Sequence, residues 1–125
     1  KDFSVDPRNS HRILLGVADA GRGDPSGGLY LTEDGGQTWQ RLGREGPQTF
    51  GGYFHPKRDG WIYMTLTEGA PGAGLWLSRD HGNTWQPFSE LPFSNIQRVE
   101  FDPANDALIH VTTFGGSVWR GPITP

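Results

Sequence analysis

This chain writes nearly the same nonapeptide twice. "LTEDGGQTW" runs from Leu31 to Trp39, and "LSRDHGNTW" runs from Leu77 to Trp85. Asp34 and Asp80 stand 46 positions apart, and the same offset separates Trp39 from Trp85 and Tyr30 from Trp76. A second landmark occurs three times, as "SVDP" ending at Pro7, "YFHP" ending at Pro56 and "EFDP" ending at Pro103. Each is followed by a polar turn and an apolar run: "RILLGVA", "WIYMTL" and "ALIHVTT". Each run leads through a Gly-containing loop to an aromatic segment: "GGLYLT", "AGLWLS" and "GSVWRG". A period of forty-odd residues constrains the fold more than any local propensity, because each repeat must be one supersecondary unit that buries its face on the next.

One unit therefore reads strand, Pro turn, strand, Gly loop, strand, tight turn, strand. The first spans about residues 3–42, the second about 50–88, and a partial third about 96–122 with three strands and no fourth. The expected strands lie near Ile13 to Ala18, Leu29 to Thr32, Trp39 to Leu42, Trp61 to Leu66, Leu75 to Ser78, Trp85 to Phe88, Val99 to Phe101, Leu108 to Thr112 and Val118 to Arg120. Nineteen Gly and ten Pro in 125 residues break the chain too often for long helices. Short β-branched and aromatic runs between breakers read as strands. A four-stranded antiparallel unit at this period is the signature of a β-propeller blade. The expected fold is all-β: two complete blades and three strands of another, part of a larger propeller.

The nonapeptides carry a further resemblance. Thr32, Asp34, Gly36, Thr38 and Trp39, with Ser78, Asp80, Gly82, Thr84 and Trp85, resemble the Asp-box or BNR repeat. That repeat occurs in sialidases, xyloglucan-degrading enzymes, sortilin-type receptors and photosystem II assembly factors. The turn has a physical logic of its own. Thr32 or Ser78 closes the third strand, and the Asp carboxylate accepts backbone N–H groups. Gly36 and Gly82 supply a positive φ. Trp39 and Trp85 open the fourth strand and bury an indole against the stack. The resemblance implies that this turn lies on the face opposite the ligand, so Asp34 and Asp80 are read as structural rather than as acid, base or calcium ligands.

Ligand contacts are then expected from the loops at the other end: residues 19–28, 43–49, 67–74, 89–95 and 114–117. They carry Asp19, Asp24 and Glu68, the weak candidates for the paired carboxylates of glycoside hydrolysis. They also carry Arg22, Arg44 and Phe114 as candidate ligand contacts, with Trp61 and Tyr53 as further aromatic platforms. Loop carboxylates are more often simply solvated, and Trp61 and Trp76 more often pack between blades. Asp6, His55 and Asp102 read as turn residues before proline. Arg22-Gly23-Asp24 spells an adhesion tripeptide too short to carry weight. The sialidase-like arginine triad is not assembled by this sequence.

Composition closes other routes. Cysteine is absent, so disulfides and thiolate metal sites are excluded. The four His show no ligand spacing, and no metal or other cofactor is expected. Net charge is -3 and no basic run exists, which argues against nucleic acid and anionic membrane surfaces. No segment has the length and apolarity of a membrane span, and no signal peptide is visible. The resemblance favours a secreted or periplasmic setting.

The expected role is the C-terminal portion of a carbohydrate-active glycoside hydrolase propeller. This segment would be mainly structural, adding loops to a glycan-binding face. A non-catalytic binding or assembly propeller, sortilin-like or photosystem-assembly-factor-like, is the alternative. The expected partners are the remaining blades of the same propeller or another chain completing the ring, with an oligosaccharide as ligand.

Overall fold

The computed structural model describes residues 2–18, 26–43, 48–67 and 72–125. Eleven strands run through them in chain order: β1 (Phe3–Asp6), β2 (Asn9–Val17), β3 (Gly28–Thr32), β4 (Gln40–Leu42), β5 (Thr49–Phe54), β6 (Ile62–Leu66), β7 (Gly74–Ser78), β8 (Gln86–Pro87), β9 (Ile96–Phe101), β10 (Leu108–Thr113) and β11 (Val118–Pro122). There is no helix among the described residues. The strands form a four-stranded sheet β1-β2-β3-β4, a second β5-β6-β7-β8 and a three-stranded sheet β9-β10-β11, antiparallel throughout. This is the β-propeller architecture: consecutive meander sheets stacked face to face. β11 and β9 are the two edge strands of the third sheet.

Register follows the repeat. Leu15 faces Tyr30 across β2 and β3, Met64 faces Trp76 across β6 and β7, and Val111 faces Trp119 across β10 and β11. Side chains alternate between sheet faces, so each aromatic lies on the same face of its sheet as its counterparts. The first sheet turns Leu14, Leu29, Leu31 and Leu42 towards the second, which meets them with Phe54, Ile62, Met64 and Leu66. The other face of the second sheet sends Tyr53, Tyr63, Leu75 and Leu77 against Ile96, Val99, Ile109 and Val111 of the third. Two apolar layers thus alternate with three sheets.

The sheets are also tied by polar bonds. The Asp2 N–H donates to the Phe50 carbonyl at 2.9 Å. Thr65 Oγ1 donates to the Gln97 carbonyl at 2.9 Å, and the Tyr63 hydroxyl to the Ile123 carbonyl at 2.7 Å.

The indoles of the repeated turn depart from expectation. Trp39 and Trp85 precede their strands by one residue instead of opening them. Nor are they equally buried. Trp85 packs against the first apolar layer, whereas Trp39 is 41% exposed. The physical reason is that, among the described residues, Trp85 has a sheet in front of it and Trp39 does not.

Candidate functional site

The strand ends define two rims. At one lie the Pro turns and the repeated nonapeptide turns, stitched together by the Gly35 N–H donating to the His11 carbonyl and the His81 N–H to the Gly60 carbonyl. Each repeated turn is built around one carboxylate. Asp34 accepts from the Thr38 N–H at 2.9 Å, the Thr38 hydroxyl at 2.5 Å and the Thr32 hydroxyl at 2.8 Å. Asp80 accepts from the Thr84 N–H at 2.8 Å, the Thr84 hydroxyl at 2.6 Å and the Ser78 hydroxyl at 2.8 Å. The Thr32 and Ser78 oxygens in turn accept the Gly36 and Gly82 N–H groups at 2.9 and 2.8 Å. Gly36 and Gly82 hold φ at 99° and 89°, where a Cβ would be strained. Donors from Thr38, foremost, and Thr32 lower the Asp34 pKa from 3.8 to about 2, and those of Thr84 and Ser78 do the same for Asp80. A carboxylate so saturated with donors is a poor base and a poor nucleophile.

The Pro turns use a related device. Asp6 accepts the Arg8 N–H at 2.9 Å, and Asp102 accepts the Ala104 and Asn105 N–H groups at 2.9 Å. In the middle unit, His55 Nδ1 accepts the Lys57 N–H at 3.1 Å. Burial, and then the Arg58 charge, lower the His55 pKa, which keeps that nitrogen free to accept. Trp61 belongs to this rim too, under the guanidinium groups of Arg58 and Arg79 at 4.9 and 5.2 Å from its ring centroid. It does not share the loop end with Phe114.

The opposite rim gathers the Gly loops and the connections between sheets. Thr67 donates its N–H and its hydroxyl to the Gln48 carbonyl, at 2.9 and 2.8 Å. The Phe114 N–H donates to the Asn95 carbonyl at 3.0 Å, and the Asn95 side-chain amide donates to the Phe114 carbonyl. Phe114 stands 58% exposed, edge-on to Phe50 at 6.3 Å. Nearby, a groove of about 490 Å³ runs between β7, β8 and the following connection, lined by Gly72, Trp76, Phe88, Leu91, Pro92 and Phe93 among others. The Trp76 indole N–H is engaged by the Gly72 carbonyl at 2.7 Å. Trp76 also packs against the apolar layer between the first two sheets, as the sequence led us to expect, whereas Phe88 and Phe93 were not singled out. The "PFSELPFSN" stretch, with aromatics on a loop, was the available signal. Asp19, Arg22, Asp24, Arg44 and Glu68 lie outside the described residues.

A third cluster joins the first strands of the sheets. The Tyr53 hydroxyl donates to Asp2 at 2.7 Å, Arg98 lies 3.4 Å from the same carboxylate, and Arg98 also pairs with Glu100 at 2.8 Å. Some glycosidases use a tyrosine as nucleophile. Here burial, with Asp2 next, pushes the Tyr53 phenol far above its ordinary range. Tyr53 is a neutral donor that ties the strands together, and its buried ring offers no platform to a ligand. Among the described residues, no group of three or more His, Cys, Asp or Glu could hold a metal ion.

No family model matches the chain, and no curated protein matches it. Solved structures do. An ancestral GH74 enzyme superposes with a TM-score of 0.70 at 19% identity, over 90% of this chain and 13% of that one. The GH74 enzyme of Niastella koreensis gives 0.69 at 19% identity, over 98% of this chain and 20% of that one. At that identity the likeness establishes the fold alone, that of stacked propeller sheets. The chain spans about an eighth and a fifth of the length of these two enzymes.

Proposed function

We propose that this chain is a portion of an Asp-box β-propeller in a carbohydrate-active glycoside hydrolase. Its sheets serve mainly as framework, and its loop rim contributes to a glycan-binding face. The observation that carries the reading is the division between the two rims. Asp34 and Asp80 are consumed by their own turns at one end, while exposed Phe114 and the aromatic groove from Trp76 to Phe93 stand at the other. Sugar rings present apolar C–H faces that stack on such side chains, and the hydroxyls between them suit loop carbonyls. The superposition on two GH74 enzymes supports the propeller frame of this reading. The activity of the whole enzyme is proposed from fold likeness and the repeat alone.

The test is calorimetric titration of the chain with xyloglucan oligosaccharides, with sialyllactose as the competing class. Saturable binding of the xyloglucan fragments is expected, weakened about three- to tenfold by Phe114→Ala or Phe93→Ala, the scale of one lost aromatic contact. Absence of saturable binding to either sugar would favour the assembly or scaffold reading instead.

A further inference from the structure

The two ends of the stack are unlike, and the difference identifies what covers one of them. The inner junctions show what a docked sheet looks like. The second sheet meets the first with Phe54, Ile62, Met64 and Leu66, all at most 4% exposed. Its Trp85 lies so close to Gly43 that a Cβ there would come within 2.3 Å of the indole nitrogen. Its Gly82 also approaches Leu42 closely, where a Cβ would meet Leu42 Cδ1 at 2.9 Å. The indole and the glycine of the repeated turn therefore seat on the end of the outer strand of the sheet before.

The first sheet carries the same equipment on its open face. By register, Val5, Ile13, Leu15, Val17 and Tyr30 occupy the places of Phe54, Ile62, Met64, Leu66 and Trp76. Trp39 and Gly36 occupy those of Trp85 and Gly82. A Cβ on Gly36 would meet only the Trp39 ring, at 3.8 Å. Val5 is 43% exposed and Trp39 is 41% exposed. Leu15, Val17, Tyr30 and Trp39 line an open apolar hollow of about 230 Å³.

The far end offers nothing to fill it. On the open face of the third sheet the places of Tyr53, Tyr63, Leu75 and Leu77 are taken by Glu100, His110, Val118 and Arg120. Arg98 pairs with Glu100 on this face, and His110 lies 3.5 Å from Asp102. Seating this face on Leu15, Tyr30 and Trp39 would strip water from charges without supplying partners. A second copy stacked head to tail is thereby disfavoured.

We infer that the Val5–Trp39 face is the docking surface for another propeller blade of a different sequence from the third sheet. That blade presents a leucine-bearing face like that of Leu14, Leu29, Leu31 and Leu42, with a glycine where Gly43 stands. The inference rests on the chain being part of a larger propeller, and it is independent of the glycan reading. It is supported by the share of the GH74 enzymes that this chain covers, since both carry far more chain than these three sheets.

The test supplies such a blade. A duplicate of residues 2–48, whose front face has the required leucines and glycine, is fused ahead of the otherwise complete chain. Both proteins are labelled with 5-fluorotryptophan, and Trp39 is assigned by Trp39→Phe. In the unmodified chain a soluble gadolinium agent is expected to relax Trp39 more strongly than Trp85, in line with their exposure. In the fusion, relaxation of the original Trp39 should fall at least threefold, to the level of Trp85. Arginine at the duplicate's copies of Leu29 and Leu31 should restore it. Unchanged relaxation of Trp39 overturns the inference, whether or not the added segment folds, because a face shaped for that sheet would order it. Protection of Trp39 that appears on concentrating the unmodified chain, with dimers in sedimentation, assigns the face to a second copy and also overturns it. Neither readout involves sugar, so a failed glycan titration leaves it standing.

Discussion

Ser78→Ala removes one hydroxyl and nothing else from the second repeated turn. Ser78 is fully buried, and its oxygen accepts the Gly82 N–H at 2.8 Å and donates to Asp80 at 2.8 Å. Gly82 is itself buried beneath Leu42 of the preceding sheet, so water does not replace the lost acceptor. An orphaned buried N–H costs about 1–3 kcal/mol. For a chain of this size that corresponds to a fall in Tm of roughly 3–15 °C. Thr32→Val deletes the matching hydroxyl from the first turn. There the Gly36 N–H is only partly buried and has no sheet in front of it, so the same loss should cost less. Scanning calorimetry on both variants, with amide exchange followed at Gly82, measures the effect. Equal melting of Ser78→Ala and the parent, with Gly82 exchange unchanged, would refute the claim that this hydroxyl closes the turn.

Three further outcomes are expected. Asp34 and Asp80 are held near a pKa of about 2 against 3.8 in the unfolded chain, so their contribution is complete above about pH 4 and is lost as pH falls through 2. His55, whose pKa is lowered by burial, adds a separate loss that begins as pH drops below the unfolded value of 6.5. Melts between pH 2 and 8 should show both steps, and His55→Asn should abolish the upper one. Gly43→Ala would drive a Cβ into the Trp85 indole at a φ of 74°, and a loss of about 1–3 kcal/mol is expected in urea unfolding. Burial raises the pKa of Tyr53 and Tyr63 far above the ordinary tyrosine range. Ultraviolet titration should therefore find both phenols neutral until alkaline unfolding releases them.

The sheet pattern was legible because Gly, Pro and the aromatics mark turns and strands at a fixed period. The first and fifth strands were implied by the unit but given no bounds, since "FSVD" and "TFGGYF" are short and interrupted. His55 stood where the other units have Asp, and the structure gives its ring nitrogen the same acceptor duty. Burial of the two indoles could not be separated from sequence, because Trp39 and Trp85 sit in matching motifs. Only the presence of a preceding sheet distinguishes them. The Asp2–Tyr53–Arg98 tie was invisible for a similar reason, as its members come from three different repeat units. On the loop rim, Phe114 was legible as an exposed aromatic after a strand. The groove beside it was not, since it forms where a sheet edge meets a connection and leaves no local pattern.

The division of labour between the two rims is tested most directly by amide chemical-shift mapping during titration with a xyloglucan oligosaccharide. The account predicts shifts at Thr67, Gly72, Phe93, Asn95 and Phe114, and none at Asp34–Thr38 or Asp80–Thr84. Shifts concentrated at the two repeated turns would contradict it.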